Sequence, residues 1–218
     1  MRIVCDFDGT ITLSDTTDAV LEALADPAWE AVEADWRAGR ISAARCMRRQ
    51  IALLRADDAA VDAVLDAQVL DPGFAAFVAW CEARDLPVSV VSDGVDHFIR
   101  RILARHGLER LPVVSNVLAG RAPQRRLRQP WRREGCAAGS GVCKCAAAAT
   151  DDRPLVFVGD GRSDFCLSGR ADILFAKGEL AVYAAGRDRP FHPFETFHDV
   201  TATLEALLAA GPARAAAL

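Results

Sequence analysis

The sequence lacks a long apolar run, a large charge excess and a leader-like start. No stretch of its 218 residues approaches the roughly 18 apolar residues that a membrane helix requires. The formal net charge of −4 provides no basic field for nucleic acid. An acidic motif follows Met1 too closely for a secretory signal peptide. We therefore expect a cytoplasmic protein, a monomer or a homodimer, with no nucleic-acid or membrane partner.

The sequence also lacks a cysteine or histidine framework. Its seven cysteines are an odd number without a C-x2-C pair, and its four histidines have no metal-ligand spacing. Such a set argues against structural disulfides. Cys136, Cys143 and Cys145 lie close together in the sequence, but a zinc site would need a fourth ligand. We interpret the cysteines as buried or incidental thiols, with a structural zinc site on these three as the alternative.

What the sequence does have is an alternation of short apolar runs and helical patterns. Hydrophobic residues make up 51% and charged residues 26%, which is ordinary for a soluble globular protein. Continuous apolar runs predict strands buried on both faces, as in a parallel sheet; they cover 2–5, 87–91, 111–114, 154–158 and 172–175. Helical patterns lie between them at 74–83, 95–106, 144–149 and 163–169. The alternation predicts an α/β fold with a doubly wound, Rossmann-like parallel sheet.

The first two predicted strands are separated by far more chain than the dozen or so residues that a parallel crossover needs. Four helical patterns fill the excess, at 16–25, 28–37, 42–54 and 58–65, with Ser42 and Asp58 as predicted N-caps. We infer a helical cap at 13–70, inserted after the first strand of a core formed by 1–12 and 71–218. Such a cap would cover the carboxyl ends of the strands, where open α/β sheets bind ligands.

An arginine-rich stretch with two prolines runs from residue 119 to 134. Its basic residues are Arg121, Arg125, Arg126, Arg128, Arg132 and Arg133. We predict a long flap, which is either a solvated surface loop or a rim that attracts an anionic substrate. The last residues, 209–218, are expected to be frayed.

Asp6 and Asp8 form a pair of carboxylates at the end of the first predicted strand, within the sequence D-x-D-G-T. Alternation along a strand directs both side chains the same way, so the two anions share one site and need a counter-charge. The fourth strand is followed by a second acidic pair, Asp160 and Asp164. It can face the first pair across adjacent strand ends. Because all-oxygen ligation suits Mg²⁺, we predict a magnesium site made by the four aspartates.

Two further motifs supply groups that bind phosphate. Ser92-Asp93-Gly94 ends the second strand where a helix begins, so a hydroxyl and backbone N–H groups are available there. Lys144 opens another predicted helix and can offset negative charge. Each motif alone is a weak signal. Their order, with every motif at a strand end or a helix start, indicates one phosphate site.

This order of motifs resembles that of the haloacid dehalogenase superfamily over nearly the whole chain. The resemblance implies a phosphatase in which Asp6 attacks phosphorus to form an aspartyl phosphate and Asp8 acts as general acid and base. It assigns Ser92 and Lys144 to phosphate. It also assigns magnesium to the carboxylates of Asp6, Asp160 and Asp164 and to the backbone carbonyl of Asp8. A helical cap in this position is the family's type-one cap, and an aspartate at position 8 favours a hydrolase over a pump or a dehalogenase.

Two branches of the family, subfamily IB, are the most similar. Phosphoserine phosphatases carry a glutamate for the substrate ammonium where this chain has Asp15, and an arginine for the substrate carboxylate where it has Gln50. An amide is a much weaker carboxylate ligand than a guanidinium, which disfavours phosphoserine unless a nearby cap arginine substitutes; the candidates are Arg45, Arg48 and Arg49. The pair Cys143-Lys144 and the aromatic tail at 175–180 and 193–197 resemble the methionine-salvage phosphatases of 2-hydroxy-3-keto-5-methylthiopentenyl 1-phosphate.

The cap supplies the predicted contacts to the substrate, a small phosphorylated metabolite. The candidate residues are Asp15, Thr16, Trp36, Arg37, Met47 and Gln50. Trp36 and Met47 also suit a buried core. Two alternatives to a specific phosphatase remain: a broad-specificity or phosphoserine-type phosphomonoesterase, and a non-catalytic module that binds a phosphorylated ligand. The retention of all four aspartates disfavours the module.

Overall fold

The fold is built on one sheet in which β1 is the central strand. A computed structural model describes residues 1–149 and 152–210, and within them orders the strands β4-β3-β2-β1-β5-β6-β7. All neighbouring strands are parallel except β3 and β4. The strands are β1 (Arg2–Cys5), β2 (Val88–Val95), β3 (Val113–Ala119), β4 (Arg126–Arg128), β5 (Leu155–Gly159), β6 (Ile173–Ala176) and β7 (His192–Pro193). The predicted doubly wound α/β fold is confirmed, and all five predicted strands are present.

Strand β1 is buried on both faces, as its continuous apolar sequence predicts. Ile3 and Cys5 face one hydrophobic layer, which includes Phe74 and Phe77. Val4 faces the opposite layer. Since the strand order reverses at β1, its carboxyl end opens into the crevice where open α/β sheets bind ligands.

The helices between the strands match most of the predicted patterns. They are α1 (Thr16–Leu24), α2 (Trp29–Arg37), α3 (Ala43–Ile51), α4 (Asp58–Asp66), α5 (Phe74–Glu82), α6 (Asp96–Arg105), α7 (Lys144–Ala147), α8 (Phe165–Ser168), α9 (Gly178–Ala185) and α10 (Phe197–Ala210). The Ser42 side chain accepts from the Arg45 N–H, as an N-cap does. The prediction of Asp58 as an N-cap was wrong by one residue, because the capping side chain is that of Asp57. The prediction had no counterpart of β4, β7, α9 or α10.

Helices α1–α4 lie between β1 and α5, where the cap was predicted. An antiparallel bridge joins Thr12 to Leu70. The Asp71 N–H donates to the Ile11 carbonyl over 2.8 Å, so the two ends of the inserted segment are hydrogen-bonded together. The predicted boundaries, 12/13 and 70/71, fall at this bridge, although the division into two domains stays a prediction. No helix in the described part of the chain is long and apolar enough to cross a membrane.

Helix α4 is attached to the sheet layer by ion pairs with α6. The Arg101 guanidinium donates two bonds of 2.8 Å to the Asp66 carboxylate. The His97 ring lies 2.8 Å from Asp62 on the same face of α4. Bidentate pairs of this kind fix orientation as well as distance, so α4 has a defined position against α6.

The arginine-rich segment forms an antiparallel hairpin of β3 and β4. Of its six arginines, only Arg125 is buried, with 1% of its side chain exposed. Its guanidinium donates to the Ala56 carbonyl and, over 2.5 Å, to the Asp58 carboxylate. Arg125 therefore connects the hairpin to the start of α4. Of the tail that was expected to fray, residues 209 and 210 end α10, and 211–218 lie outside the described residues.

Replacement of Arg125 tests this connection. Arg125→Met removes the hydrogen bonds to Ala56 and Asp58 and leaves the half-buried Ala56 carbonyl without its donor, which should lower the free energy of unfolding by about 1 kcal/mol. Arg126→Met changes the exposed next residue, the first of β4, and should stay within about 0.5 kcal/mol of the parent. Chemical denaturation measures both values. Equal stability of the two variants would show that the Arg125 contacts do not stabilise the fold.

Candidate active site

A cavity of about 670 Å³ lies at the carboxyl ends of the central strands, below α1–α3. Most of the predicted site residues line it. From the sheet these are Asp6, Asp8, Ser92, Asp93, Gly94 and Asp160; from the inserted helices they are Asp15, Trp36, Arg37, Met47 and Gln50. No arginine from 119–134, all of which the structure describes, reaches the cavity. The segment is a surface hairpin and does not form a rim of the site.

The centre of the site is a buried lysine between two aspartates. The Lys144 Nζ lies 2.6 Å from Asp6 Oδ1 and 2.5 Å from Asp164 Oδ1. Lys144 and Asp164 have no exposed surface. Burial alone would lower the pKa of Lys144, but the charges of Asp164 and Asp6 raise it above its ordinary value. The two carboxylates therefore favour the protonated lysine. Lys144 and Asp164 do not themselves line the cavity; Lys144 lies behind its wall, in contact with Asp6, which does.

Three carboxylates beside this lysine could hold a metal ion. Asp6, Asp160 and Asp164 each present an oxygen, and the three oxygens lie within 4.8 Å of one another. Burial, and next the charge of Asp164, raise the pKa values of Asp6 and Asp160. One lysine leaves the triad with excess negative charge, which a hard divalent cation with oxygen ligands would offset.

The predicted metal set is only partly reproduced, because the Asp8 carboxylate is not in the triad. The resemblance assigned Asp8 to the metal through its backbone carbonyl, and that assignment stays a prediction. Among the described residues, the triad is the only group of three or more acidic, histidine or cysteine side chains with metal-binding geometry. Cys136, Cys143 and Cys145 are not such a group, so the geometry does not support the zinc alternative, which stays untested.

Two glycines leave room for the triad carboxylates. Gly9 has a φ of +71°, and a Cβ there would lie 2.5 Å from Asp160 Oδ2. A Cβ at Gly159 would lie 2.5 Å from Asp164 Oδ2. The Thr10 hydroxyl, in the same motif as Gly9, donates to Asp160 Oδ1 over 2.7 Å. The D-x-D-G-T and G-D-G-x-S-D motifs therefore contact each other directly, through Gly9 and Thr10 on one side and Asp160 on the other.

Asp8 is held by the first turn of α1. Its Oδ1 accepts the Thr16 N–H over 2.9 Å and the Thr16 hydroxyl over 2.5 Å. Burial raises the pKa of Asp8, and the two bonds from Thr16 oppose that rise. Thr16 was predicted to contact the substrate, but it is fully buried and its polar groups are used by Asp8. The structure gives Thr16 the position of a residue that orients Asp8.

The motif Ser92-Asp93-Gly94 lies at an irregularity near the carboxyl end of β2. The register between β2 and β3 shifts between Val91 and Val95, as it does at bulges beside active sites. The Ser92 hydroxyl accepts the Gly94 N–H over 2.9 Å and lines the cavity. The Asp93 carboxylate accepts the Val142 N–H over 2.8 Å and an amide hydrogen of Asn116 over 3.1 Å. Asp93 thus braces the loop before Lys144.

The helical side of the cavity is acidic. Asp18 and Glu33 line it beside Asp15. Burial, and next the charges of Asp15 and Glu33, raise the pKa of Asp18 to about 7. Sequence reasoning missed Glu33 and Asp18, although each follows a helical spacing from a predicted residue: Glu33 is four before Arg37, and Asp18 three after Asp15.

Glu33 engages both candidate donors on this wall. Gln50 is buried and donates its amide to Glu33 Oε2 over 3.0 Å. The Arg37 guanidinium donates to Glu33 Oε1 over 3.1 Å. Arg45, Arg48 and Arg49, the arginines that could have substituted for a carboxylate ligand at Gln50, are exposed and do not line the cavity. Among the described residues, the inserted helices therefore place no unengaged arginine beside Gln50. From the loop after β5, Arg162 also lines the cavity and lies 6.0 Å from the Trp36 ring centroid.

Removal of the buried cation should destabilise the protein. Lys144→Met leaves two buried carboxylates uncompensated and should cost about 3–5 kcal/mol in unfolding free energy at pH 7 without divalent ions. Burial already raises the folded-state pKa of Asp6, so the folded variant binds a proton more readily than the unfolded chain. Its stability should fall as pH rises from 5 to 8.

Lys177→Met is the matched control, because Lys177 is the only other lysine in the sequence. Its ammonium lies 4.9 Å from the Phe194 ring centroid; its charge acts to lower the pKa of Asp160 but is the last of the contributions to that pKa. We expect a loss of about 1 kcal/mol or less, with a smaller pH dependence than that of Lys144→Met. Denaturation at several pH values compares the two variants. A Lys144→Met variant as stable as Lys177→Met at pH 7 would contradict the account of the buried ion pairs.

Comparison with known proteins places this geometry in a family. A family model of haloacid dehalogenase-like hydrolases matches residues 3–168. The 2-hydroxy-3-keto-5-methylthiopentenyl-1-phosphate phosphatase of Geobacillus thermodenitrificans is 32% identical over 212 residues, which cover 94% of this chain and 96% of the relative. A polyol phosphate phosphatase of Saccharomyces cerevisiae is 28% identical, with 95% of this chain and 93% of the relative covered.

Solved structures agree on the fold. A phosphoserine phosphatase determined as a phospho-aspartyl intermediate analogue superposes with a TM-score of 0.67 at 18% identity, covering 94% of this chain and 97% of that one. At this identity the likeness concerns the fold alone. The family model and the relative that is 32% identical go further and confirm the resemblance predicted from the motifs. The chain belongs to the haloacid dehalogenase-like hydrolase family.

Proposed function

We propose that the protein is a magnesium-dependent phosphomonoesterase that forms an aspartyl phosphate on Asp6. The proposed substrate is a small phosphorylated metabolite whose leaving group carries no carboxylate. The observation that carries the proposal is the Lys144 ammonium, 2.6 Å from Asp6 and 2.5 Å from Asp164 inside the acidic triad. Repulsion between two anions is the main obstacle to attack of a carboxylate on a phosphate, and a cation held there reduces that repulsion.

The hydrogen bonds at Asp6 distinguish its two oxygens. The Phe7 N–H donates to Oδ1 over 2.7 Å, and Lys144 contacts the same atom. We assign Oδ2 as the oxygen that attacks phosphorus. The donor set of Asp6, Asp160 and Asp164 fits Mg²⁺, which when bound would supply positive charge to the phosphoryl oxygens. The Ser92 hydroxyl and the backbone N–H of Asp93 would hold the remaining phosphate oxygens.

Asp8 has the properties that general acid–base catalysis requires. Burial raises its pKa, so a protonated form is available at a pH where an exposed aspartate would be fully ionised. The two bonds from Thr16 fix Oδ1. In the proposed reaction Asp8 donates a proton to the leaving oxygen as Asp6 attacks. It then takes a proton from the water that hydrolyses the aspartyl phosphate.

The acidic helical wall supports a substrate without a carboxylate. Burial raises the pKa values of Asp15 and Asp18 to about 7, so above pH 7 both are mostly ionised and, with Glu33, would repel a second anionic group. Gln50 is already engaged by Glu33. Hydroxyl or keto groups suit this wall better, because hydroxyls can donate to carboxylates. The relatives named for a methylthiopentenyl phosphate and for polyol phosphates favour the same class. Phosphoserine is disfavoured. We place the enzyme in the cytoplasm as a monomer or homodimer, free of nucleic acid and membrane.

Loss of the nucleophile should abolish phosphate release. Asp6→Asn removes the attacking carboxylate, and we expect magnesium-dependent hydrolysis of p-nitrophenyl phosphate to fall by about a thousandfold or more. Asp85→Asn is the control, since Asp85 is exposed, distant from the cavity and left-handed at a φ of 53°, which asparagine tolerates. Steady-state release of p-nitrophenol measures both. Absence of hydrolysis of any phosphomonoester by the parent protein with Mg²⁺ would favour the non-catalytic binding module.

Magnesium should stabilise the protein in a pH-dependent way. A ligand at a hundredfold excess over its Kd adds about 2.7 kcal/mol to the unfolding free energy. Protons compete with the ion, because burial raises the pKa values of Asp6 and Asp160. The magnesium-induced rise in Tm should therefore be larger at pH 7.5 than at pH 5. Thermal unfolding with and without Mg²⁺ measures the effect.

A pair of glycine variants locates the magnesium effect. Gly9 and Gly39 share a φ of +71°, so Gly→Ala strains the backbone equally at both. Only at Gly9 does the new Cβ displace Asp160; at Gly39 nothing lies within 4 Å. Gly9→Ala should lose most of the magnesium-induced Tm shift, and Gly39→Ala should retain it. Retention of the full shift in Gly9→Ala would place the ion elsewhere.

Two small substrates test the leaving-group preference. 2-Hydroxyethyl phosphate and phosphoglycolate differ in one group: the first has a hydroxymethyl group where the second has a carboxylate. Like charges about 4–6 Å apart near a protein surface cost a few kcal/mol, so kcat/KM should be about tenfold or more lower for phosphoglycolate. Phosphoserine should also be a poor substrate. Phosphoserine or phosphoglycolate as the preferred substrate would show that the acidic wall does not select the leaving group.

A further inference from the structure

Four cysteines that the proposed reaction does not use lie together beside Lys144. The thiols of Cys143 and Cys145 are 3.4 Å apart. The Cys136 thiol interacts with that of Cys143, and the Cys166 thiol with that of Cys145. All four are free thiols. The described residues show no metal-binding geometry in this group, and we consider the redox chemistry of the thiols.

Cys136 and Cys143 differ in reactivity. Cys136 is half-buried, on a turn that precedes the site. Burial acts to raise its pKa, but a backbone N–H of Ala138 and the neighbouring Cys143 and Ser140 side chains lower it overall. Burial raises the pKa of Cys143 to about 11. Cys136 is thus the more accessible and the more readily ionised thiol of the two. Peroxides oxidise thiolates at accessible positions.

We propose that Cys136 and Cys143 are an oxidisable pair that hydrogen peroxide converts into a disulfide, with loss of phosphatase activity. The Cys136 thiolate attacks one peroxide oxygen, the O–O bond breaks, and after protonation the products are a sulfenic acid and water. The Cys143 thiol then attacks the sulfenic sulfur, which forms the S–S bond and releases a second water. The sulfur pair loses two electrons, and the peroxide is reduced by the same two. A dithiol reductant reverses the change.

The position of the pair explains why the disulfide would inhibit. Cys143 is the N-cap of α7, and its carbonyl accepts the N–H groups of Ala146 and Ala147 over 3.0 and 2.9 Å. The next residue is Lys144. A disulfide between Cys136 and Cys143 would displace the first residue of this helix end. The short contacts of Lys144 with Asp6 and Asp164 tolerate little displacement. Displacement of a catalytic group by about 1 Å can cost about a hundredfold in rate.

The crosslinked loop, residues 136–143, also joins the site to the inserted helices. Ala138 and Ser140 line the cavity. The Gly139 carbonyl accepts the Ala44 N–H at the start of α3 over 2.9 Å. A disulfide across the loop would therefore restrain the cavity wall and its contact with α3, in addition to Lys144.

The sequence makes the disulfide easy to identify. Trypsin cleaves after Arg133 and Lys144, so one peptide, 134–144, contains Cys136 and Cys143 and no other cysteine. After hydrogen peroxide treatment of the full protein with Mg²⁺ and alkylation of free thiols, this peptide should lack both alkyl groups and the mass of two hydrogens. Hydrolysis of p-nitrophenyl phosphate should fall by about tenfold or more. Dithiothreitol should restore both the peptide mass and the rate.

Two serine variants separate this pair from its neighbours. Cys136→Ser should keep the basal rate, form no disulfide in the peptide and resist peroxide. Cys145→Ser should still form the disulfide and remain sensitive. A peptide that stays reduced, a crosslink between Cys143 and Cys145, or a complete disulfide without loss of activity would each overturn the proposal. The mass measurement stands even without a detectable phosphatase rate, so failure of the proposed function would be recognised separately.

Discussion

The contact of Lys144 with Asp6 and Asp164 is the interaction on which the rest of the site depends. Three charges are buried together there, with N–O distances of 2.6 and 2.5 Å. Burial of any one of them alone would cost several kcal/mol, so each is stable only with the others. The three residues come from separate elements: Asp6 follows β1, Lys144 begins α7, and Asp164 follows β5. A slip of one residue in β1 would turn Asp6 to the other face of the sheet and separate the three.

The remaining features of the site follow from an excess of negative charge at this point. Glycines at positions 9 and 159 bring backbone close to the Asp160 and Asp164 carboxylates. Asp8 stands apart, held by Thr16. The Asp6 carboxylate thus contacts a cation, whereas the Asp8 carboxylate can carry a proton. A phosphate transfer in two steps requires two carboxylates with these different roles. In the proposed reaction, the acidic helical wall then selects the leaving group.

The motifs and their order allowed the fold and the base of the cavity to be predicted from the sequence. Continuous apolar runs identified β1 and β5, and turn residues after them identified Asp6 and Asp160. The prediction did not include α9, α10 or the short strands β4 and β7. A strand of two or three residues has too few positions for a pattern. Helix α9 is short and three of its eight residues are alanine. Helix α10 does bury Phe197, Val200 and Leu204 at a helical spacing, so its period was present in the sequence and the prediction missed it.

Side-chain roles set by tertiary contact were also beyond the sequence. Thr16 orients Asp8 because α1 begins directly above it. Arg125 is buried, unlike the five other arginines of its segment. It donates to Ala56, in the turn before α4, and to Asp58, the first residue of α4. Glu33 engages Gln50 across two helices. Each of these contacts joins positions that only the folded chain brings together.

The central claim concerns where the phosphoryl group is bound, and a crystal structure with Mg²⁺ and beryllium fluoride tests it directly. The account predicts a tetrahedral beryllofluoride on Asp6 Oδ2, with Lys144 in contact with it and the ion liganded by Asp6, Asp160 and Asp164. Beryllofluoride attached to another residue, or an ion bound outside the acidic triad, would contradict the account.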